Sequence, residues 1–201
     1  MAAPWNITMR NLSGIWVLSV ALSDDLEPCC KLQEMPWIFR KLLSFITITN
    51  RITQTSNEKG YTQFNITSTV SGGFKAEMDP YVLDGLESPT APSVQRVRAQ
   101  WLDLKCSKPM SMDGGPIDPY LTRDWLEDPK APTWDHVYLY IVNEKGGRTA
   151  EYVWGFAWRG NGRYFVKKLL MRKGERSVRM AIVQEWDGPL LLPQLGTKEG
   201  L

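Results

Sequence analysis

The chain has 201 residues, with 24 Lys and Arg against 22 Asp and Glu, 43% hydrophobic residues and one histidine. This is the balance of an ordinary globular domain, and a net charge of +2 is too small to indicate nucleic acid as the main partner. A single histidine excludes a two-histidine metal site, and three cysteines, two of them adjacent, make a poor disulfide framework. No leader-like segment and no membrane-length apolar run is present, so we expect a cytoplasmic protein without a membrane span.

The first elements predicted along the chain are a strand over residues 12–21 and a helix after it. Ser23, Asp24 and Asp25 supply oxygens that suit the start of a helix. From Leu32 to Phe45 apolar residues recur every three or four positions, which is typical of an amphipathic helix. We therefore expect a lid helix over residues 28–45.

The rest of the chain is predicted to be β-structure. Eight further segments are rich in β-branched and aromatic residues: 46–55, 61–70, 74–78, 94–104, 137–142, 150–158, 163–171 and 177–186. Most are joined by short glycine-containing hairpin turns. We expect one all-β domain over residues 1–188 with a tail at 189–201. A proline-rich insertion over residues 107–135 interrupts the series, and an insertion this long is usually a functional loop or a disordered excursion.

About nine or ten antiparallel strands joined by hairpins form a sheet whose edges are best hidden by closure into a barrel. Several predicted strands have no purely apolar face. In residues 46–55, Ile48 and Ile52 alternate with Thr49 and Arg51. A β-sandwich should alternate more cleanly, whereas a barrel with a ligand-holding lumen lined by mixed side chains gives this pattern.

One motif makes the barrel more specific. The segment Asn11-Leu12-Ser13-Gly14-Ile15-Trp16 resembles the Gly-x-Trp signature that opens the lipocalins and related calycins. In those proteins the tryptophan closes one end of the barrel and an arginine of the last strand packs over it. The resemblance implies these roles for Trp16 and Arg179. A helix between the first two strands is similar to that of intracellular fatty-acid-binding proteins.

A longer set of residues resembles a fungal family of small lipocalin-like proteins. It comprises residues 12–16, 22–25 and 32–33 with Trp37 and Arg40, and later Ala150-Glu151-Tyr152-Val153-Trp154-Gly155-Phe156. The likeness covers nearly the whole chain apart from the insertion. Some members belong to secondary-metabolite clusters and include hetero-Diels–Alderases that join a tropolone-derived quinone methide to a humulene-type terpene. The resemblance implies a cyclase of polyketide and terpenoid substrates that needs no cofactor.

Three residues are candidates for catalysis. His136 follows the insertion and has a side chain that titrates near neutral pH, and Arg51 and Arg98 would stabilise an enolate if they point into the lumen. The candidates for substrate binding are aromatic, amide or cationic side chains of the strands and lid: Trp37, Gln63, Asn65, Gln100, Tyr138, Tyr140, Tyr152, Trp154, Phe156, Trp158, Lys168 and Gln184. The alternatives are that His136 caps a loop, that the cations lie on a solvated outer face, and that the aromatic residues form a plain core.

Two function classes beside a cyclase remain open. A carrier would bind an apolar small molecule, lipid or terpenoid, and release it unchanged, and a scaffold would use the proline-rich insertion for protein contacts. No metal or cofactor is implied by the motifs. The sequence does not fix the oligomeric state, for which a homodimer is one option.

Overall fold

The computed structural model describes residues 1–43, 45–90, 95–105, 109–126 and 136–190, and ten strands and three short helices occur in them. The strands are β1 (Gly14–Ser19), β2 (Ile48–Ser56), β3 (Thr62–Val70), β4 (Phe74–Val82), β5 (Glu87–Thr90), β6 (Gln95–Leu102), β7 (His136–Asn143), β8 (Arg148–Arg159), β9 (Gly162–Lys173) and β10 (Arg176–Gly188). The helices are α1 (Glu27–Leu32), α2 (Trp37–Leu42) and α3 (Pro119–Thr122).

All ten strands form one antiparallel sheet in the order β4-β3-β2-β1-β10-β9-β8-β7-β6-β5, in which the first strand pairs with the last. The sheet curls until β4 approaches β6. In the connection between β4 and β5, the Gly85 N–H donates a hydrogen bond to the Ala99 carbonyl at 2.9 Å. The predicted single antiparallel barrel is thereby confirmed.

Strand β5 is the element that the sequence did not predict. Pro80, Pro89 and Pro92 indicated a loop there, yet Glu87–Thr90 pairs with β6. β5 lies at the end of the strand order. A proline is tolerated on such an edge because its missing N–H need not reach a neighbouring strand.

The lid consists of two short helices, so the single helix predicted over residues 28–45 is wrong. Between α1 and α2 the chain turns at Glu34, which has a positive φ of 58°. Pro36 directly precedes α2. Inside one continuous helix its ring would clash with the carbonyl of residue 32 and its nitrogen could not donate. The apolar periodicity continues across this break and therefore could not reveal it.

One end of the barrel is closed by Trp16, which is fully buried and donates from its indole Nε1 to the Leu12 carbonyl at 3.1 Å. Its ring lies 4.9 Å from that of Trp186 and 5.1 Å from that of Phe165. Gly14 makes this approach possible, because a Cβ there would lie 2.1 Å from the Trp186 ring. The N-terminal segment covers this end with Ala3, Ile7, Met9 and Leu12.

Arg179 does not pack over Trp16, contrary to what the calycin resemblance implied. It is exposed on the outer face, where it donates to both carboxylate oxygens of Asp118 at 2.7 and 3.2 Å. Arg163 of β9 lies near the closed end instead. Its guanidinium is 3.6 Å from the Phe156 ring centroid and donates to the carbonyls of Pro4 and Ile7.

Helix α1 packs on inward-facing residues at the other end. Cys29 and Leu32 are buried against side chains of β8, β9 and β10, namely Ala150, Leu169, Met171 and Met180. Helix α2, by contrast, contains no buried residue. The lid therefore rests on α1 alone.

The described part of the insertion, residues 109–126, lies against the outer wall of the barrel. Ile117 and Leu121 are buried on Tyr138, Val153 and Leu170. This part is thus neither a free excursion nor a loop over the lumen. Residues 107–108 and 127–135 of the insertion lie outside the described residues, as do residues 191–201 of the predicted tail. None of the helices in the described part of the chain has the length and apolarity needed to cross a membrane.

Candidate functional site

The barrel encloses a cavity of about 190 Å³ between the Trp16 end and α1. Its lining is mainly apolar and aromatic: Ile66, Tyr81, Leu139, Ile141, Tyr152, Trp154, Lys167, Ile182 and Gln184. We call this space the central cavity. A second cavity of about 130 Å³ shares Ile141 and Tyr152 with it and extends to Gln33 after α1 and Gln95 at the start of β6. Together they lead from the lumen towards the lid.

Aromatic rings give the central cavity a fixed shape. The Trp154 ring stands edge-on to those of Phe64, Tyr81 and Phe165, with centroid distances of 5.9, 5.7 and 6.0 Å. Edge-to-face contacts at these distances are favourable, and they hold Trp154 against three neighbouring rings. The resulting aromatic surface suits a planar or polyene ligand.

Lys167 places a cation in this aromatic surrounding. Its Nζ lies 4.4 Å from the Trp154 ring centroid and 5.4 Å from that of Phe165. No carboxylate belongs to the described lining of the cavity. Burial lowers the pKa of Lys167 from 10.5 to about 8, so the amine is mostly protonated at neutral pH.

A chain of neutral polar groups crosses the barrel beside the cavity. The Gln184 Oε1 accepts from the Asn50 Nδ2 at 2.9 Å, and the Ser68 hydroxyl donates to the Asn50 Oδ1 at 2.7 Å. Burial also raises the pKa of Tyr152, which therefore stays a neutral phenol. The Trp154 Nε1–H is buried and has no hydrogen-bond partner among the described residues.

The structure brings three of the predicted binding residues together at the central cavity: Tyr152, Trp154 and Gln184. Phe156 shares their strand face but lies deeper, with its ring centroid 6.3 Å from that of Trp16. Trp158, at the end of the same strand face, is 53% exposed and stands edge-on to Trp5. The aromatic stripe of β8 therefore runs from the lumen out to the closed end.

The other predicted residues lie away from the lumen. On β2 and β3 the residues that enter the core are Ile52, Phe64 and Ile66, so the alternating positions face outwards. This group comprises Arg51, which is exposed, and Gln63 and Asn65, which hydrogen-bond to each other at 3.0 Å. Trp37 is 64% exposed on α2. The predicted residues that do not line the cavity are therefore Trp37, Arg51, Gln63 and Asn65.

Arg98 and Gln100 are likewise excluded from the lumen, because Val97 and Ala99 are the residues of β6 that face it. Arg98 forms an ion pair with Glu87 at 3.2 Å and donates to the Met112 carbonyl. Its charge is thus compensated on the outer wall.

His136, Tyr138, Tyr140 and Lys168 also point to the outer wall, beneath the insertion. The His136 ring lies 5.2 Å from that of Trp125 and is tilted by 59° to it, and the Lys168 ammonium donates to the Arg123 carbonyl. The Tyr138 hydroxyl donates to the buried Glu151 carboxylate at 2.6 Å and lies 2.7 Å from the Ser111 hydroxyl. Arg172 pairs with the same carboxylate. These contacts fasten the insertion to the barrel and do not reach the cavity.

Lys167 is a cavity-lining cation that sequence reasoning missed, because the neighbouring Lys168 was named instead. On β9, Phe165 and Leu169 flank it on one face, and Val166 and Leu170 flank Lys168 on the other. All four apolar neighbours are buried. Phe165 and Leu169 face the barrel interior, whereas Val166 and Leu170 are covered by the insertion and by outer-wall residues of adjacent strands. The sequence of this strand therefore contains no signal that separates the two lysines.

The comparisons with known proteins agree with this architecture. No protein-family model matches the chain. It is 30% identical to the pericyclase pydY of an Acremonium species, over 94% of this chain and 98% of that protein. It is 27% identical to the probable pericyclase scpY of Mollisia scopiformis, over 94% and 96% of the two chains.

Among solved structures, secretory abundant heat soluble protein 4 from Ramazzottius varieornatus shares the fold, with a TM-score of 0.50 and 10% identity over 92% of this chain and 99% of that chain. The fold is thus that of a calycin-like β-barrel. The identity to pydY over nearly the full length of both proteins decides the family. The chain belongs to the pericyclases of fungal metabolism and is a cyclase enzyme.

Proposed function

We propose that this pericyclase catalyses a hetero-Diels–Alder cycloaddition inside the barrel, between a tropolone-derived quinone methide and a humulene-type terpene. The observation that supports the proposal is the central cavity, whose aromatic wall carries a single ammonium group, that of Lys167. The motif resemblance to tropolone hetero-Diels–Alderases supplies the substrate pair. The tropolone alcohol first loses water to form the quinone methide. The cycloaddition then forms one C–C and one C–O bond from the π-electrons of the two partners, and no group leaves in this second step.

The cavity offers what such a reaction needs from a protein. Holding two partners in a reactive orientation contributes up to about 7–11 kcal/mol, since an encounter between two molecules becomes a step within one complex. The rigid Trp154 cluster would stack the planar quinone methide. Burial would also keep water from adding to this electrophile before the alkene does.

The adjoining 130 Å³ cavity extends the central cavity towards the lid, and the two partners would need both spaces joined. Ile141 and Tyr152 separate the two spaces, and rotation of their side chains would join them. The route in passes α1, which has six residues, of which Cys29, Cys30 and Leu32 are buried. A helix held by so few side chains suits a lid that opens on the timescale of turnover. We place the reaction in the cytoplasm, where the sequence leads us to expect the protein.

The proposal is tested by turnover. Purified protein is mixed with a tropolone alcohol and humulene, and products are followed by mass and retention time. We expect one stereoisomer of an adduct that does not form without protein. Trp154→Ala should abolish most of this activity, whereas Trp5→Ala, which removes an exposed tryptophan at the closed end, should retain it. Saturable binding of either compound without any adduct would refute the cyclisation and indicate a carrier.

A further inference from the structure

The central cavity holds an ammonium, that of Lys167, which no carboxylate of the described lining compensates. The Trp154 indole N–H is buried without a partner among the described residues. The one amide oxygen at this wall, Gln184 Oε1, already accepts from Asn50. The titratable groups that line the cavity with Lys167 are the phenols of Tyr81 and Tyr152. The described lining therefore carries one positive charge and no negative charge.

An unpaired donor in an apolar interior is unfavourable, and an unpaired ammonium is more so. The cation–π contact with Trp154 compensates only in part, because a ring face accepts no strong hydrogen bond. A ligand oxygen that carries negative charge would satisfy the Lys167 ammonium. A pure hydrocarbon would not.

We propose that Lys167 is a catalytic residue whose ammonium binds an anionic or carbonyl oxygen of the substrate. The cavity then selects conjugated enols and ketones over hydrocarbons of the same size. This inference rests on the proposed function for its catalytic part. In a cycloaddition the hydrogen bond from Nζ would withdraw electrons from the carbonyl-bearing partner and lower its barrier, and Lys167 would keep its proton throughout.

The recognition part is tested without any turnover. The probes are 4-nitrophenol, whose absorption reports its ionisation, and 4-nitroanisole, its methyl ether, which cannot ionise. Binding is followed by quenching of tryptophan fluorescence at neutral pH. We expect the native protein to bind 4-nitrophenol at least about tenfold more tightly than the ether and to favour the ionised form, since a hydrogen-bonded charge pair in a buried site exceeds a neutral contact by this factor or more.

Lys167→Met should abolish this preference and leave the affinity for 4-nitroanisole intact, which also shows that the cavity has kept its shape. The matched control is Lys168→Met, one residue along the same strand and on the outer wall, where the preference should persist. Equal affinities of the native protein for the two probes would overturn the inference. So would an unchanged preference in Lys167→Met.

Turnover then separates this inference from the proposed function. If the adduct forms, Lys167→Met should lower kcat on the order of 100-fold, as for loss of one donor to a developing charge. An adduct formed equally fast by the variant would overturn the catalytic role of Lys167 and leave the cycloaddition standing. No adduct at all, with the probe preference lost in Lys167→Met, would refute the cycloaddition and support the recognition of an oxygen anion.

Discussion

Lys167→Met should make the protein more stable, although it removes a functional group. Burial lowers the pKa of this lysine from 10.5 to about 8. At about 1.4 kcal/mol for each pKa unit, the protonated form disfavours folding by on the order of 3 kcal/mol below pH 8. Methionine fills a similar volume without charge. Loss of the cation–π contact with Trp154 offsets about 1 kcal/mol of the stability gained by removing the buried charge. We expect a net gain of about 2 kcal/mol in unfolding free energy, or roughly 6 °C in Tm.

The pH dependence tests the cause of this gain. The unfolded lysine keeps its proton up to its ordinary pKa of 10.5, whereas the folded one loses it near 8. Between these values the unfolded state binds more protons, so this lysine makes the native protein more stable as pH rises. Urea unfolding of both proteins at pH 7 and pH 10 should therefore show a smaller difference at pH 10. Burial also lowers the pKa of Lys168 to about 8. Both the native protein and Lys167→Met contain Lys168, so its contribution cancels from the difference between their unfolding free energies. A variant that is less stable at pH 7, or a difference that is the same at both pH values, would refute the reasoning.

Three further substitutions test other parts of the structure. Gly14→Ala puts a Cβ within 2.1 Å of the Trp186 ring and should lower unfolding free energy by about 1–3 kcal/mol in urea titrations; an unchanged midpoint would contradict the close approach. Tyr138→Phe removes a hydroxyl that donates to the buried Glu151 and should destabilise by about 1–3 kcal/mol while turnover is kept; lost activity in a folded variant would tie the outer wall to catalysis. His136→Ala should lower Tm through a lost buried ring and leave the pH–rate profile unchanged; a missing inflection near neutral pH would return His136 to the mechanism.

The hairpin series of the fold could be predicted from local sequence. Turns such as Arg159–Gly162 and Lys173–Arg176 contain glycines at positive φ, 55° at Gly160 and 56° at Gly174, where a side chain would be strained. The flanking segments are long and rich in β-branched and aromatic residues. Both signals act over a few residues, so one sequence was enough to find them.

The closed end of the barrel was predicted only in part: the Gly14–Trp16 motif was placed correctly and the arginine was not. Gly14 and Trp16 form a local motif, and the contact that requires the glycine involves a tryptophan of the same closed end. Arg179, by contrast, was assigned from the calycin resemblance and its position on the last strand. Its partner Asp118 lies in the insertion, 61 residues away, and nothing in either local sequence indicates this pair.

The sequence by itself determined an all-β chain of hairpins, the Gly14–Trp16 closure and an aromatic stripe that reaches the lumen at Tyr152 and Trp154. The tertiary structure alone decided which lysine of β9 faces inwards. A strand normally shows its inner face by apolar alternation, but here the insertion and other outer-wall residues bury the outer face as well. Because both faces of β9 carry apolar residues, alternation along the strand does not show which face points inwards. Only the register with β8 and β10 places Lys167 in the cavity and Lys168 on the outer wall.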